Sequence, residues 1–340
     1  MKYLVRLVQV HQTFRKPELE ALAHLANVQL EFVYYSDDVC TINSCNIKHI
    51  SQIPHACPCA NSVSKSPFCI VELSSDQAAK TLVARSILSK GIYELWGSGP
   101  NYASLVDNVK HNTAIDPTKY RHASFRFDVD SFMVKRTSLQ QRELIESFSF
   151  LPFEGPIRML DPDLEMCIFE DSVHAASAPH MLYLGRWIAN GSRDVVTKYD
   201  LKKRKYISRT SMDAELSLVT ANMVLAAPGK TVFDPFVGTG SFSVSCAHFG
   251  AATIGSDIDA RSIRGTEERN VVSNFQQYGT VNCLLDNFVS DLTHTPLRVV
   301  KFLDGIVCDP PYGVREGPKV LGYRNKEAKM VMVDGVPAHL

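Results

Sequence analysis

The residues of this 340-residue chain with the clearest chemical potential lie in its last third, in three short segments: DPFVGTG at 234–240, GSDID at 255–259 and DPPY at 309–312. In the first, an apolar run ends in Asp234, and Gly238 and Gly240 form a turn that opens a helix. Glycines there let the backbone approach a ligand closely at the carboxyl end of a strand, where open α/β sheets bind. The spacing is neither G-x-G-x-x-G nor G-x-x-x-x-G-K-[ST], so nicotinamide and triphosphate ligands lose support, and an acid beside the glycines suits a cationic ligand. Asp257 follows about 20 residues later, where an acid accepts from both hydroxyls of a ribose. Asp259 is read as the cap of the next helix.

DPPY is the most specific of the three. Pro310 and Pro311 remove two backbone donors and stiffen the turn, leaving carbonyl oxygens to accept from an amino group. The Asp309 carboxylate and the Pro310 carbonyl are therefore candidates to hold the two protons of an exocyclic amine, with Tyr312 stacking on a base turned into the pocket. Held that way, the nitrogen lone pair faces a methyl donor, and rate comes from alignment and from favouring charge that develops on nitrogen. No cysteine pair in this region has the setting for attack on a pyrimidine carbon. Cys308 is expected to be buried in its strand.

The elements that must position these residues follow from periodicity. From Ser211 an amphipathic helix is followed by strands TVFDPF, ATIGSD, NCLLDNFV and FLDGIVCD alternating with helical stretches, which predicts a parallel sheet. Upstream, strands at 2–10, 28–35 and 67–73 and at GIYELW, with helices over 17–26 and 74–90, predict a small α+β module, the second helix capped by serine. A second α+β unit has strands at 124–132 and 163–171 and a helix near 138–148. The fold class is α/β: α+β modules over 1–98 and 99–180, then a Rossmann-like domain over 181–340.

Composition bounds the partners. Apolar residues make up 45% and charged residues 21%, the balance of a soluble globular protein. Thirty-six basic residues offset 36 acidic ones, so any nucleic-acid surface must come from local clustering. Two clusters qualify. One runs from Lys110 to Arg142 with Phe125, Phe127 and Phe132 interleaved, and it reads equally as an RNA face or as solvated charge over a core-facing stripe. The other is the basic segment 191–210, read as linker, RNA contact or both. No apolar run is long enough to span a bilayer, and the amino terminus reads as a first strand, not a secretory signal. Nine scattered cysteines point to a reducing cytosolic compartment. Cys40, Cys45, Cys57 and Cys59, with His49 and His55, lie in a long loop at 36–66, but their spacings match no common zinc module and no metal is expected.

Together with KSPFCIVEL, YLGRWIANGSR, KKRKYISRTSMDAELSLVTANM and CAHFGA, these motifs resemble, over almost the whole chain, the eukaryotic tRNA guanine-10 N2-methyltransferase catalytic subunits. The resemblance implies a ferredoxin-like module and a THUMP RNA-binding domain ahead of a class I methyltransferase domain. It further implies S-adenosyl-L-methionine as cofactor, the exocyclic N2 of a tRNA guanosine as acceptor, and a small zinc-binding activator protein as heterodimer partner. Residue by residue, it implies that Asp234, Phe236, Gly238 and Gly240 cradle the methionine part of the cofactor, Asp257 its ribose and Asp291 its adenine amino group. Thr210, Ser211 and Asp213 fall near the cofactor carboxylate, with helix capping by Ser211 as the alternative.

The chain departs from the family pattern in its cysteine-rich loop, in a short stretch between Asp259 and Gln276, and at its end. A class I sheet has seven strands, and the sequence after Asp309 is too short for three more. The expectation is a truncated sheet and an isolated chain that is inactive or poorly folded in its C-terminal half. The alternative function is a noncatalytic RNA-binding or partner-binding protein. Methylation of DNA bases shares DPPY but not the first two-thirds of the chain.

Overall fold

The computed structural model describes residues 1–35, 66–172, 179–298 and 300–311, and the backbone of 331–333 and 336–338. Tyr312 and residues 36–65 of the cysteine-rich loop lie outside the described residues. The chain divides into two compact units, Met1–Arg193 and Asp194–Leu340.

The first unit contains β1 (Lys2–Leu7), α1 (Arg15–Ala26), β2 (Glu31–Tyr35), β3 (Phe68–Glu72), α2 (Asp76–Val83), β4 (Ser89–Gly99), α3 (Tyr102–Lys110), β5 (Phe125–Phe132), α4 (Ser138–Glu146), β6 (Leu164–Asp171) and β7 (Met181–Asn190). Its strands form one seven-stranded sheet in the order β2-β3-β1-β4-β7-β6-β5. Neighbours run antiparallel except β5 and β6. β4 crosses residue 98 and pairs with β7, so the sheet continues through both positions where the sequence divides into modules. Three apolar clusters pack against it among the described residues, one around Tyr3, Leu19, Leu82 and Ile92, one around Trp96, Leu105, Phe148 and Ile168, and one around Leu4, Phe68, Phe169 and Tyr183. Phe125 and Phe127 pack against the second core, which accounts for the aromatic stripe of β5.

Ser75 caps α2, accepting from the Ala78 N–H at 3.2 Å. The helix stops at Val83 instead of reaching residue 90, and the cause is remote in sequence. The buried Glu18 carboxylate takes the N–H groups of Ile87 and Leu88, each at 2.9 Å, and the Ser86 hydroxyl at 2.9 Å. Donors that would extend the helix are satisfied elsewhere.

The second unit contains α5 (Asp194–Lys198), α6 (Ala214–Met223), β8 (Thr231–Asp234), α7 (Ser241–His248), β9 (Ala252–Asp257), α8 (Ala260–Arg264), α9 (Val271–Tyr278), β10 (Leu284–Val289) and β11 (Gly305–Ile306). These strands form a parallel sheet in the order β10-β9-β8-β11. Ala221, Val232, Phe242, Cys246 and Val307 are the heart of its core. The backbone of β12 (Val331–Val333) and β13 (Val336–Ala338) pairs as an antiparallel hairpin.

The fourth strand is shorter than its sequence suggests. Only Gly305 and Ile306 pair with β8, and the Val307 N–H adds one bond to Phe233 O at 3.0 Å. The chain then leaves the ladder, so Cys308 is exposed and not buried as expected. Among the described residues no helix is long and apolar enough to cross a membrane.

Candidate active site

The carboxyl ends of β8, β9 and β10 gather most of the sequence-predicted residues. After β8 the chain turns through Phe236, whose N–H donates to Asp234 Oδ1 at 3.0 Å, and Val237, whose N–H donates to Ser256 O at 2.8 Å. Gly238 and Gly240 then take φ of +49° and +82°, a left-handed region that penalises a Cβ. A Cβ on Gly240 would also stand 2.9 Å from Val271 Cγ1. A Cβ on Gly238 would meet nothing closer than Phe236 O at 3.9 Å, so the loop faces open space there. Gly240 caps α7, whose first N–H groups point along the loop.

Asp257 closes this loop from the neighbouring strand. Its Oδ2 accepts from the Gly238 N–H and its Oδ1 from the Asp259 N–H, both at 2.9 Å. Each oxygen retains lone-pair capacity for a diol. Asp259 caps α8 through the Arg261 N–H at 2.9 Å, in agreement with its sequence reading.

Asp234 is 2% exposed. Burial pushes its carboxyl up to about 7, and the negative charges of Asp257 and Asp309 push the same way against the Phe236 hydrogen bond. That coupling brings Asp309 electrostatically into the same site. Pro310 and Pro311 follow it on the surface. Partial desolvation and the negative charges of Asp234 and Asp309 push the exposed Cys308 thiol up, the wrong direction for a nucleophile.

Asp291 is 5% exposed at the end of β10. Its Oδ1 accepts from the Thr293 N–H at 2.9 Å and the Thr293 hydroxyl at 2.8 Å. With Val289, Ser290, His294 and Pro296 it lines a cavity of about 330 Å³. The Ser290 N–H donates to Asp257 O at 3.1 Å, which ties this cavity to the end of β9.

Ser211 does not cap α6. Asp213 does, accepting from the N–H groups of Glu215 at 3.1 Å and Leu216 at 2.9 Å. The Ser211 hydroxyl instead lies 2.7 Å from Thr239 Oγ1 in the glycine loop, and Thr210 Oγ1 lies 3.1 Å from Ser208 Oγ.

Sequence reasoning missed the polar support behind the loop. Asn274 of α9, fully buried, accepts from the Tyr206 N–H at 2.9 Å and donates to Tyr206 O at 2.8 Å and Thr239 O at 3.0 Å. Arg204, 5% exposed, donates to Ser241 Oγ at 2.7 Å. The only local signal was an Asn on the apolar face of an amphipathic helix.

A parallel sheet with a glycine turn after its first strand and an acid at the end of its second is a Rossmann-like arrangement, and the family match identifies it as a methyltransferase domain. Residues 202–321 match the RMKL-like, methyltransferase domain, and residues 1–52 and 57–193 match the Tmrp11 THUMP N-terminal domain. The chain belongs to the tRNA (guanine(10)-N(2))-methyltransferase family. The Schizosaccharomyces pombe enzyme of that name is 39% identical over 328 residues, covering 93% of this chain and 69% of the relative. That of Saccharomyces cerevisiae is 39% identical over 353 residues, covering 100% of this chain and 75% of the relative. TrmN from Thermus thermophilus, a solved structure, is similar at a TM-score of 0.45 and 15% identity over 92% of this chain and 80% of that one.

Proposed function

We propose that this chain transfers a methyl group from S-adenosyl-L-methionine to the exocyclic N2 of a guanosine in tRNA, at position 10 as in the enzymes to which it is similar. The observation that carries the reading is the convergence of Asp234, Asp257 and Asp309 at the carboxyl ends of three adjacent parallel strands.

The residues fit the cofactor. Open space above Gly238 accepts a ligand against bare backbone, and a buried carboxyl raised to about 7 gains from a nearby cation such as the ammonium or sulfonium group. When bound, the cofactor supplies an electrophilic methyl group. Asp234, Phe236, Gly238 and Gly240 hold its methionine part, Asp257 its ribose, and Asp291 its adenine amino group, with Thr210 and Ser211 beside the carboxylate. Asp309 Oδ and the Pro310 carbonyl accept from the two N2 protons of guanine and orient the nitrogen lone pair. As positive charge builds on N2 the Asp309 hydrogen bond strengthens, which favours the transition state over the ground state. Tyr312 is assigned base stacking from its type and position in DPPY.

The further reading is a division of the first unit into a ferredoxin-like module over 1–98 and a THUMP-like module over 99–180, supported by the separate cores around Leu19 and Trp96, ahead of a methyltransferase region read from the sequence as 181–340, of which β7 joins the sheet of the first unit. A small zinc-binding activator as partner and a cytoplasmic location complete the proposal. The thiols of Cys167, Cys283 and Cys308 suit a reducing compartment.

Nucleoside mass spectrometry on unmodified tRNA, incubated with S-adenosylmethionine and the chain co-purified with its activator, tests the reaction. N2-methylguanosine is expected, and its absence from a preparation that binds S-adenosylhomocysteine would overturn the acceptor assignment. Failure to bind S-adenosylhomocysteine at all would overturn the cofactor site.

A further inference from the structure

The arginines of the first basic cluster are ion-paired, while its Lys119 and Lys135 are exposed without a carboxylate partner among the described residues. In the first unit Arg121, Arg126, Arg136 and Arg142 each meet a carboxylate, of Glu154 at 3.1 Å, Glu165 at 2.8 Å, Glu170 at 2.7 Å and Glu146 at 2.9 Å. In the second unit, residues 198–209 carry six basic residues against a single acid, Asp200. That acid is engaged in capping a turn, accepting from the Lys202 N–H at 3.0 Å. Lys202, Lys203, Lys205 and Arg209 are exposed, and among the described residues none of them pairs with a carboxylate.

The backbone that carries these cations is fastened down. The Gln277 side chain accepts from the Lys205 N–H at 2.8 Å and donates to Lys203 O at 2.7 Å. Asn274 holds Tyr206 on both its N–H and its carbonyl, and the Tyr206 hydroxyl donates to Ser262 O at 2.8 Å. Arg204 is drawn inward to Ser241. Alternate residues are therefore anchored while Lys203 and Lys205 stay in water, and Lys203 commits one of its protons to Thr197 O at 2.8 Å. A platform already ordered loses less freedom when it binds. The strap ends at Ser211, in contact with Thr239 of the glycine loop, so a polyanion lying along it runs past the site.

We propose that Lys202, Lys203, Lys205 and Arg209 form a surface for tRNA backbone phosphates on the methyltransferase unit itself, separate from the N-terminal modules. The proposal rests on the tRNA reading above. Like-charged side chains that the fold leaves unneutralised on a fixed backbone match the spacing freedom and sign of a phosphate chain, and each phosphate engaged releases counterions. Three or four such contacts make tRNA binding steeply salt-dependent and insensitive to base sequence.

The test uses the full chain with its activator and three forms: wild type, Lys202→Gln/Lys205→Gln/Arg209→Gln, and the charge-conserving Lys202→Arg/Lys205→Arg/Arg209→Lys. The expected result for the glutamine form is a tRNA KM raised roughly tenfold or more, with the slope of log K against log salt reduced by about 2 to 3. Its Kd for S-adenosylhomocysteine stays within about twofold of wild type, and the charge-conserving form behaves as wild type. Arg142→Gln, from the ion-paired cluster, leaves the tRNA KM unchanged. An unaltered KM and salt slope in the glutamine form overturns the proposal, as does a parallel loss of S-adenosylhomocysteine affinity. If wild type yields no methylated tRNA, it is the tRNA reading that fails.

Discussion

The carboxylate of Asp257 accepts a hydrogen bond from the Gly238 N–H at 2.9 Å, so the acid assigned to the ribose also holds the glycine loop in shape. Binding and loop order are thus linked through one side chain. Asp257→Ala leaves the N–H groups of Gly238 and Asp259 without their acceptor, a loss of about 1–3 kcal/mol. The expected outcome is a lower melting temperature together with a Kd for S-adenosylhomocysteine raised at least tenfold or so by calorimetry. A change in melting alone would mean that Asp257 is structural only.

The raised Asp234 carboxyl gives a pH signature. Its folded value of about 7 lies above its ordinary value of 3.8, so the cofactor-free protein binds an extra proton between those limits. Stability from this group is present when the carboxyl is protonated and declines as pH rises from about 4 to 7. A cationic ligand favours the ionised form, so affinity for S-adenosylmethionine is expected to weaken as pH falls below about 7, approaching tenfold per pH unit for one proton. Titration calorimetry across that range checks the slope. Asp234→Asn should flatten the stability profile while weakening cofactor binding.

Asp309 separates chemistry from binding. Asp309→Ala is expected to lower the rate of N2 methylation by a factor of about 10² to 10³ while the cofactor Kd moves little. Single-turnover rates and equilibrium binding on the same preparation decide the matter. Equal losses in both would place Asp309 in the cofactor pocket instead.

Asn274→Leu keeps volume but removes the support of Thr239 and Tyr206. With buried partners left unsatisfied at both, the cost is on the order of 2–4 kcal/mol. The expected kinetic effect is a raised KM for S-adenosylmethionine with kcat nearly retained at saturation, because the loop is displaced while Asp309 is not. A loss confined to kcat would contradict a supporting role.

The strand-end motifs were legible because each depends on contiguous residues: glycines that need positive φ, an acid that ends a strand, prolines that stop one. Asp259 as a cap was legible for the same reason. The end of α2 was not, since Glu18 lies about 70 residues away and nothing near Val83 announces it. Ser211 and Asp213 are both good caps by type, and only the contact with Thr239 decides which one turns away. The length of β11, and with it the exposure of Cys308, depends on where a neighbouring strand stops pairing. Asn274 reads as an ordinary helix residue until the chain is folded around it.

β8 lies between β9 on one edge and β11 on the other. The acids assigned to the donor thus ride on β8 and β9, and the acid assigned to the acceptor leaves from β11. Neighbouring strands are about 4.8 Å apart along the hydrogen-bonding direction. Because the chain leaves the ladder after Val307, the DPPY turn, and not the strand spacing alone, sets how closely Asp309 approaches the loop that follows Asp234.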